Sequence, residues 1–400
     1  MNRTSRITTL GGLAAAGAAA VGLLAGPAVA APASPTQSAA DPAVAPATTS
    51  GSAHDSDHRT GGAVFVQTDN LAGNTVVAYE RAADGTLDQA GVYPTGGLGG
   101  QLTGSAVDHT ASQGALAFDA DNHLLYAVNA GSDSITVFAV HGTRLSRLQT
   151  IGSGGSFPVS VTVHGHAVYV LNARGGGSIQ GFARIGGLLV RVPDWHRDLG
   201  FNPNPTPEFV STPGQIAFTP DGSRLIVTTK ADGQSIEVFG VGAYGPSAAP
   251  VITPDPGNVP FAIAFDRRGR VVVAEAGPSA LATFRLNRDA TLSLVSRTAT
   301  GQAATCWVTV SGRNVYASNA GSASVSGYTD HRGVLSASGQ ATTDPGTVDS
   351  AASPDGRYLY VQTGRNGIVD EFAVGSGGTL TPLGSVTVPG GAGGEGIVAG

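Results

Sequence analysis

A unit of about 45 residues recurs through most of this chain, and it limits the fold more than any other feature. Each copy holds a short apolar strand, a tight turn, a second strand, a polar Gly-rich loop and two further strands. The pattern is clear at residues 114–129 (GALAFDADNHLLYAVN), 158–172 (PVSVTVHGHAVYVLN), 213–229 (PGQIAFTPDGSRLIVTT), 260–277 (PFAIAFDRRGRVVVAEAG), 306–321 (CWVTVSGRNVYASNAG) and 348–364 (VDSAASPDGRYLYVQTG). Apolar and polar residues alternate over four to eight positions, which is the strand period. Asp221-Gly222 and Asp355-Gly356 mark hairpins between first and second strands. Residues 144–151 and 380–388 read as fourth strands, and an insertion stretches the spacing near 193–213.

Four antiparallel strands per repeat predict an all-β chain, a propeller of four-stranded blades. The first unit, from Ala63, begins at the second strand of a blade. Residues 394–399 (GEGIVA) read as an isolated first strand. Joined, the two ends complete a seventh blade and leave no free sheet edge. The propeller is expected over residues 62–400.

The chain before it has another character. Arg3 and Arg6, the small apolar run 7–24 and Ala28-Val29-Ala30 form the pattern of a secretory signal peptide over 1–30. Residues 31–61 are mostly Ala, Pro, Ser and Thr and read as a disordered linker. The tract His54-Asp55-Ser56-Asp57-His58 reads as solvated linker. These features predict a protein exported to the extracellular space, with no membrane association after cleavage. The formal net charge is −6, Lys230 is the only lysine, and the linear sequence holds no basic patch, so nucleic acid is not an expected partner. Cys306 is the only cysteine and reads as a small buried residue, so the fold relies on packing without an internal disulfide.

The motifs FTPDGSRLIVTT (218–229), SPDGRYLYVQT (353–363) and LLYAVNAGSDSITVF (124–138) resemble the blades of lactonase-like propellers, the 6-phosphogluconolactonase and carboxymuconate cyclase type, and are similar to YVTN-type repeats. The resemblance covers residues 62–400. It implies a site at one mouth of the central channel, where loops entering the first strands meet loops between second and third strands. It also implies a Pro-Arg-His motif before one first strand and an Ala-Glu-Ile motif opening another. Here Pro158 is followed by Val159-Ser160, Pro260 by Phe261-Ala262, and Gln215 stands where the Glu is expected. A glutamine amide cannot act as a general base.

The candidates at the mouth are therefore local. The starts of first strands offer Ser160, Gln215, Phe261, Trp307, Asp349 and Glu395; the loops offer Asp69, Arg174, Lys230, Glu275 and Arg365; the insertion offers Glu208 and Phe209. Trp307 is read either as a stacking face for a sugar or lactone ring or as packing between blades. Asp349 and Glu395 read as solvated acids beside a wet channel, with proton sharing or cation binding as the sharper alternative. Asp108-His109 is the one acid–His pair near this face, read as a mobile loop or as a general base. Asn129, Asn172 and Asn319 recur at one blade position and are expected to hold a turn. His164-Gly165-His166 falls in a hairpin on the opposite face, without a third ligand for a metal.

Two functions follow from the sequence. The first is a monomeric binding module for a small molecule, glycan or protein, without the family's catalytic set. The second is a lactonase-type hydrolase or cyclase acting on an extracellular lactone or sugar acid, with His109, Asp108 and Glu395 as catalytic groups. Gln215, Trp307, Asp349, Arg174, Lys230, Glu208 and Arg365 are the ligand-binding candidates in either case. No cofactor or metal is expected.

Overall fold

The computed structural model describes residues 62–400, so the expected leader, linker and 54–58 tract lie outside the described residues. Seven antiparallel sheets follow one another, six built on strands consecutive in sequence and the first on strands from both ends; the fourth sheet gains a two-residue strand, Gly245–Pro246. The first strands are Ile397–Ala399, Leu116–Asp119, Pro158–His164, Gln215–Phe218, Pro260–Phe265, Thr305–Ser311 and Thr347–Ala352. Each contacts the first strand of the next blade, and Thr347–Ala352 contacts Ile397–Ala399, which closes the ring. Blade one is shared by the two ends: Val64 pairs with Ala399, Phe65 with Val398 and Val66 with Ile397.

Burial explains the pattern. Second strands such as Leu124–Asn129 and Tyr358–Thr363 are buried along their whole length, because neighbouring blades cover both faces. Fourth strands such as Leu87–Pro94 alternate toward solvent. The third residue of the second strand is a fully buried tyrosine in four blades (Tyr126, Tyr169, Tyr316, Tyr360). These rings fill the wedge between sheets, and the Tyr360 hydroxyl crosses to the Gly85 carbonyl of blade one (2.8 Å). The hairpins at Gly222 and Gly356 both need φ +69°, which glycine adopts without strain.

The recurrent asparagines close the second strands of three blades as expected. The Asn129 amide donates to Ser134 Oγ and Thr136 Oγ1, that of Asn172 to Ser178 Oγ, and that of Asn319 to Ser324 and Ser326. His164 stacks at a tilt on Phe218, 5.6 Å between ring centres, on the hairpin side of the ring. The insertion contains the long strand Leu188–Asp198 and a one-turn helix, Glu208–Ser211. Among the described residues, no helix is long and apolar enough to cross a membrane.

Candidate functional site

The connection between blades one and two, residues 95–115, crosses the mouth of the ring and closes it. Its bonds reach blades far apart in sequence. Ser112 Oγ donates to the Val159 carbonyl (2.9 Å), and Gln113 N donates to the Gly214 carbonyl (3.2 Å). The Gln113 side-chain amide exchanges bonds with Val308 N and O (3.0 and 2.9 Å). His109 N donates to the Gly393 carbonyl (2.8 Å). Leu102 is fully buried in the central apolar cluster, which gives this stopper its own anchor.

Two expectations about Asp108-His109 are corrected here. The segment is an ordered part of the stopper, and the two side chains do not form an acid–base pair. Asp108 is buried, and its carboxylate accepts Thr110 N, Thr110 Oγ1 and Ser112 N at 2.8–2.9 Å, which shapes the turn. The His109 ring lies against Gly393, and its Nδ1 sits 3.4 Å from the Asp69 carbonyl. A local acid–His doublet in sequence says nothing about direction; the turn sends the two side chains to different partners.

The acids expected in a wet channel are buried. Glu395 is fully enclosed, accepting Gly114 N at 2.9 Å and Ala115 N at 3.2 Å from the stopper. Asp349, 4 % exposed, accepts Ser350 N and Ile397 N. Asp69 accepts the Gln67 amide at 2.7 Å and Glu395 N at 3.2 Å. Loss of water around a carboxylate favours its neutral form. Burial therefore raises Asp69 to about 8 and Asp349 to about 7. Glu395 rises well above the ordinary range, through burial and then the neighbouring Asp349, Asp108 and Asp69. Asp108 rises for the same first reason, opposed by its hydrogen bonds and by Lys230. Among the described residues, no three His, Cys, Asp or Glu side chains are placed to hold a metal ion.

Lys230 is also fully buried. Its ammonium donates to the Ala111 and Phe209 carbonyls (2.7 and 2.6 Å) and to Thr212 Oγ1 (3.1 Å), and it lies 5.2 Å from the centre of the Phe261 ring. Burial lowers it to about 7, against the pull of Asp108. The Cys306 thiol nearby is pushed up to about 12 by burial, which leaves it unreactive at neutral pH.

Four further candidates serve the ring itself. Trp307 is 3 % exposed, packs edge-on against Phe261 at 5.1 Å and donates from Nε1 to the Ser112 carbonyl (2.6 Å). Its face is covered, so the ring-stacking role is corrected to inter-blade packing. Gln215 accepts Ile263 N at 2.5 Å, bridging blades four and five, and Ser160 Oγ accepts Ile216 N (3.2 Å). Glu275 forms a two-point pair with Arg297 (2.5 and 2.8 Å).

One concavity on this face, of about 540 Å³, lies beside the stopper. Thr103, Gly104, Arg174 and residues 203–208 line it. Glu208 holds Arg174 through two bonds (2.7 and 3.2 Å) and accepts Thr103 N at 2.6 Å, and these partners hold its carboxyl down to about 2. The Arg174 guanidinium lies 4.2 Å over the Phe157 ring. Of the sequence candidates, the structure brings Arg174 and Glu208 together here. It buries Asp349, Glu395 and Lys230 under the stopper, beside the stopper's own Asp108. Arg365 is exposed on the loop after Thr363, whose Gly364 lies against Val107 of the stopper.

The family model described as lactonase, 7-bladed beta-propeller matches residues 36–186. That match covers less than half of the chain, and the closed ring of seven blades agrees with it. The chain is similar to lactonase-type seven-bladed propellers. Solved structures show the same fold at low identity. A putative 6-phosphogluconolactonase from Bacteroides fragilis is 19 % identical with a TM-score of 0.66, over 86 % of this chain and 99 % of that one. A similar protein from Bacteroides uniformis is 18 % identical, with a TM-score of 0.68 over 85 % and 100 %. A periplasmic gluconolactonase from Pseudomonas aeruginosa is 18 % identical, with a TM-score of 0.67 over 84 % and 98 %. No curated protein matches this propeller by sequence.

Sequence reasoning missed the stopper. The interval between the first blade's last strand and Leu116 is longer than a blade connection needs, and it carries apolar residues, Leu98, Leu102 and Val107, among Gly, Ser and Thr. That excess length was the available signal.

Proposed function

We propose that this lactonase-like propeller is an exported binding module whose catalytic mouth is closed by its own chain, and that it holds a small polar ligand, of the sugar or sugar-acid class, in the concavity beside the stopper. One observation carries the reading. Of the carboxyl groups that a hydrolase would present at the mouth, Asp349 and Glu395 lie buried under residues 95–115 and Asp108 is buried within that segment, with Asp108 and Glu395 accepting bonds from its backbone. A water nucleophile and a lactone both need access to a base, and the described residues leave these groups none. The open concavity offers Arg174, already oriented by Glu208, with backbone and proline walls. Export is supported by the leader pattern and by the periplasmic neighbour.

A second reading keeps the lactonase activity named in the neighbours' descriptions. It rests on the concentration of buried groups poised near neutrality, Asp349 and Lys230 at about 7 and Asp69 at about 8, which is the pattern of a functional site. It requires the stopper to open. The purified protein, incubated with a panel of sugar lactones at neutral pH, separates the two. Ring opening above the uncatalysed rate that disappears in Glu395→Gln overturns the binding reading. Absence of turnover, with sugar-acid binding lost in Arg174→Ala, sustains it.

A further inference from the structure

The face opposite the stopper carries the hairpins of the blades. Between blades five and six, three of them surround a concavity of about 430 Å³ walled by Arg267, Arg268, Arg313, Asp330, His331 and Arg332. The turn after Pro260–Phe265 supplies Arg267 and Arg268, the turn after Thr305–Ser311 supplies Arg313, and the turn after Ser324–His331 supplies Arg332. The reading of the linear sequence as free of a basic patch is thus corrected. Three turns separated along the chain carry these arginines, and the stacking of blade five on blade six brings Arg267 and Arg268 beside Arg313 and Arg332.

The nearby acids do not neutralise them. Asp266 accepts Arg268 N and Arg270 N, both at 2.8 Å, and pairs with the Arg270 guanidinium at 2.5 Å. Asp330 accepts Gly333 N at 2.5 Å and lies 3.8 Å from Arg270. Both carboxylates are thus engaged by backbone and by Arg270, which does not line the concavity. Among the described residues, the guanidinium groups of Arg267, Arg268, Arg313 and Arg332 form no ion pair. Four like charges around one small space, on a chain of net charge −6, raise the local potential and favour an anion there.

The geometry points to the class of anion. The arginines approach from three separate hairpins, which suits an oxyanion with acceptor oxygens in several directions better than a planar carboxylate held by one fork. No Phe, Tyr or Trp lines the space. We propose that this concavity binds a phosphate or sulfate group, either of a free phosphorylated or sulfated small molecule or of a lipid headgroup. It is separate from the ligand concavity on the stopper face.

The test is calorimetric titration of the purified protein with inorganic phosphate and with sulfate in an amine buffer at fixed low ionic strength. A parallel arm measures co-sedimentation with phosphatidylcholine vesicles with and without phosphatidic acid. The variants are Arg313→Ala/Arg332→Ala and, as a control that removes one charge elsewhere, Arg191→Ala. The mutated side chains of the pair are exposed and make no hydrogen bond, so the variant is expected to fold, checked by its melting temperature. The expected result is phosphate or sulfate binding weakened about tenfold or more in the double variant and unchanged in Arg191→Ala. Binding confined to phosphatidic acid vesicles with the same variant pattern supports the site and assigns the lipid headgroup as its source. No binding in either arm, or binding that survives the double variant, overturns the proposal.

Discussion

Removing residues 396–400 should open the ring, and the structure sets the size of the loss. The deleted strand pairs with residues 64–66 and adds three backbone bonds at its ends: Ala63 N to Gly400 O (3.0 Å), Gly400 N to Ala63 O (2.8 Å) and Gln67 N to Gly396 O (2.8 Å). At about 1 kcal/mol each, those bonds contribute about 3 kcal/mol. Ile397 is only 4 % exposed, and losing its burial costs about 2–3 kcal/mol more. The total, about 5–6 kcal/mol, is comparable with the whole stability of many domains. A domain of about 340 residues has an unfolding entropy near 0.7 kcal/mol per degree, so the melting temperature should fall by about 8 °C. Thermal and urea unfolding followed by circular dichroism would measure it, with Ile397→Ala as an intermediate case at about half the loss. A truncated protein melting within about 2 °C of the full chain, with an unchanged urea slope, would refute the claim that this strand closes the ring.

Other outcomes follow from the same contacts. Glu395 and Asp349 keep protons in the folded state that the unfolded chain releases above about pH 4. The folded state therefore binds more protons, and the contribution of these groups to stability is full at low pH and declines as pH rises toward 7, by up to about 1.4 kcal/mol per unit for each retained proton. Urea midpoints between pH 5 and 7 should show that decline, and Glu395→Gln, neutral at every pH, should flatten it; an unchanged slope would mean that Glu395 titrates normally. Trp307→Ala should cost about 3–5 kcal/mol, since it empties the space beside Phe261 and leaves the Ser112 carbonyl unpaired. Equilibrium denaturation checks this, and a loss under about 1 kcal/mol would restore the ligand-facing role. Arg174→Ala should change stability by less than about 1 kcal/mol, because its pair with Glu208 is partly exposed. A larger loss in thermal melts would make that pair structural.

Much of the fold was legible before any coordinates. Alternation, Asp-Gly hairpins and the Asn129/Asn172/Asn319 repeat are local signals, and each met its expected partner in the blade. The site was less legible for a physical reason. Whether a side chain at the start of a first strand faces water depends on what crosses the mouth, and residues 95–115 fold there through bonds to Val159, Gly214, Val308 and Gly393, which no local pattern encodes.

The sequence by itself determined the blade, its repeat and the closure of the ring, because strand period and turn chemistry act over a few residues. The tertiary structure alone decided which charges meet. It buried Asp349, Glu395 and Lys230 under a stopper and so shifted their proton affinities. It also brought Arg267, Arg313 and Arg332 to one concavity. Burial and electrostatic neighbourhood are properties of distance in space, and in a ring of stacked blades that distance bears little relation to separation along the chain.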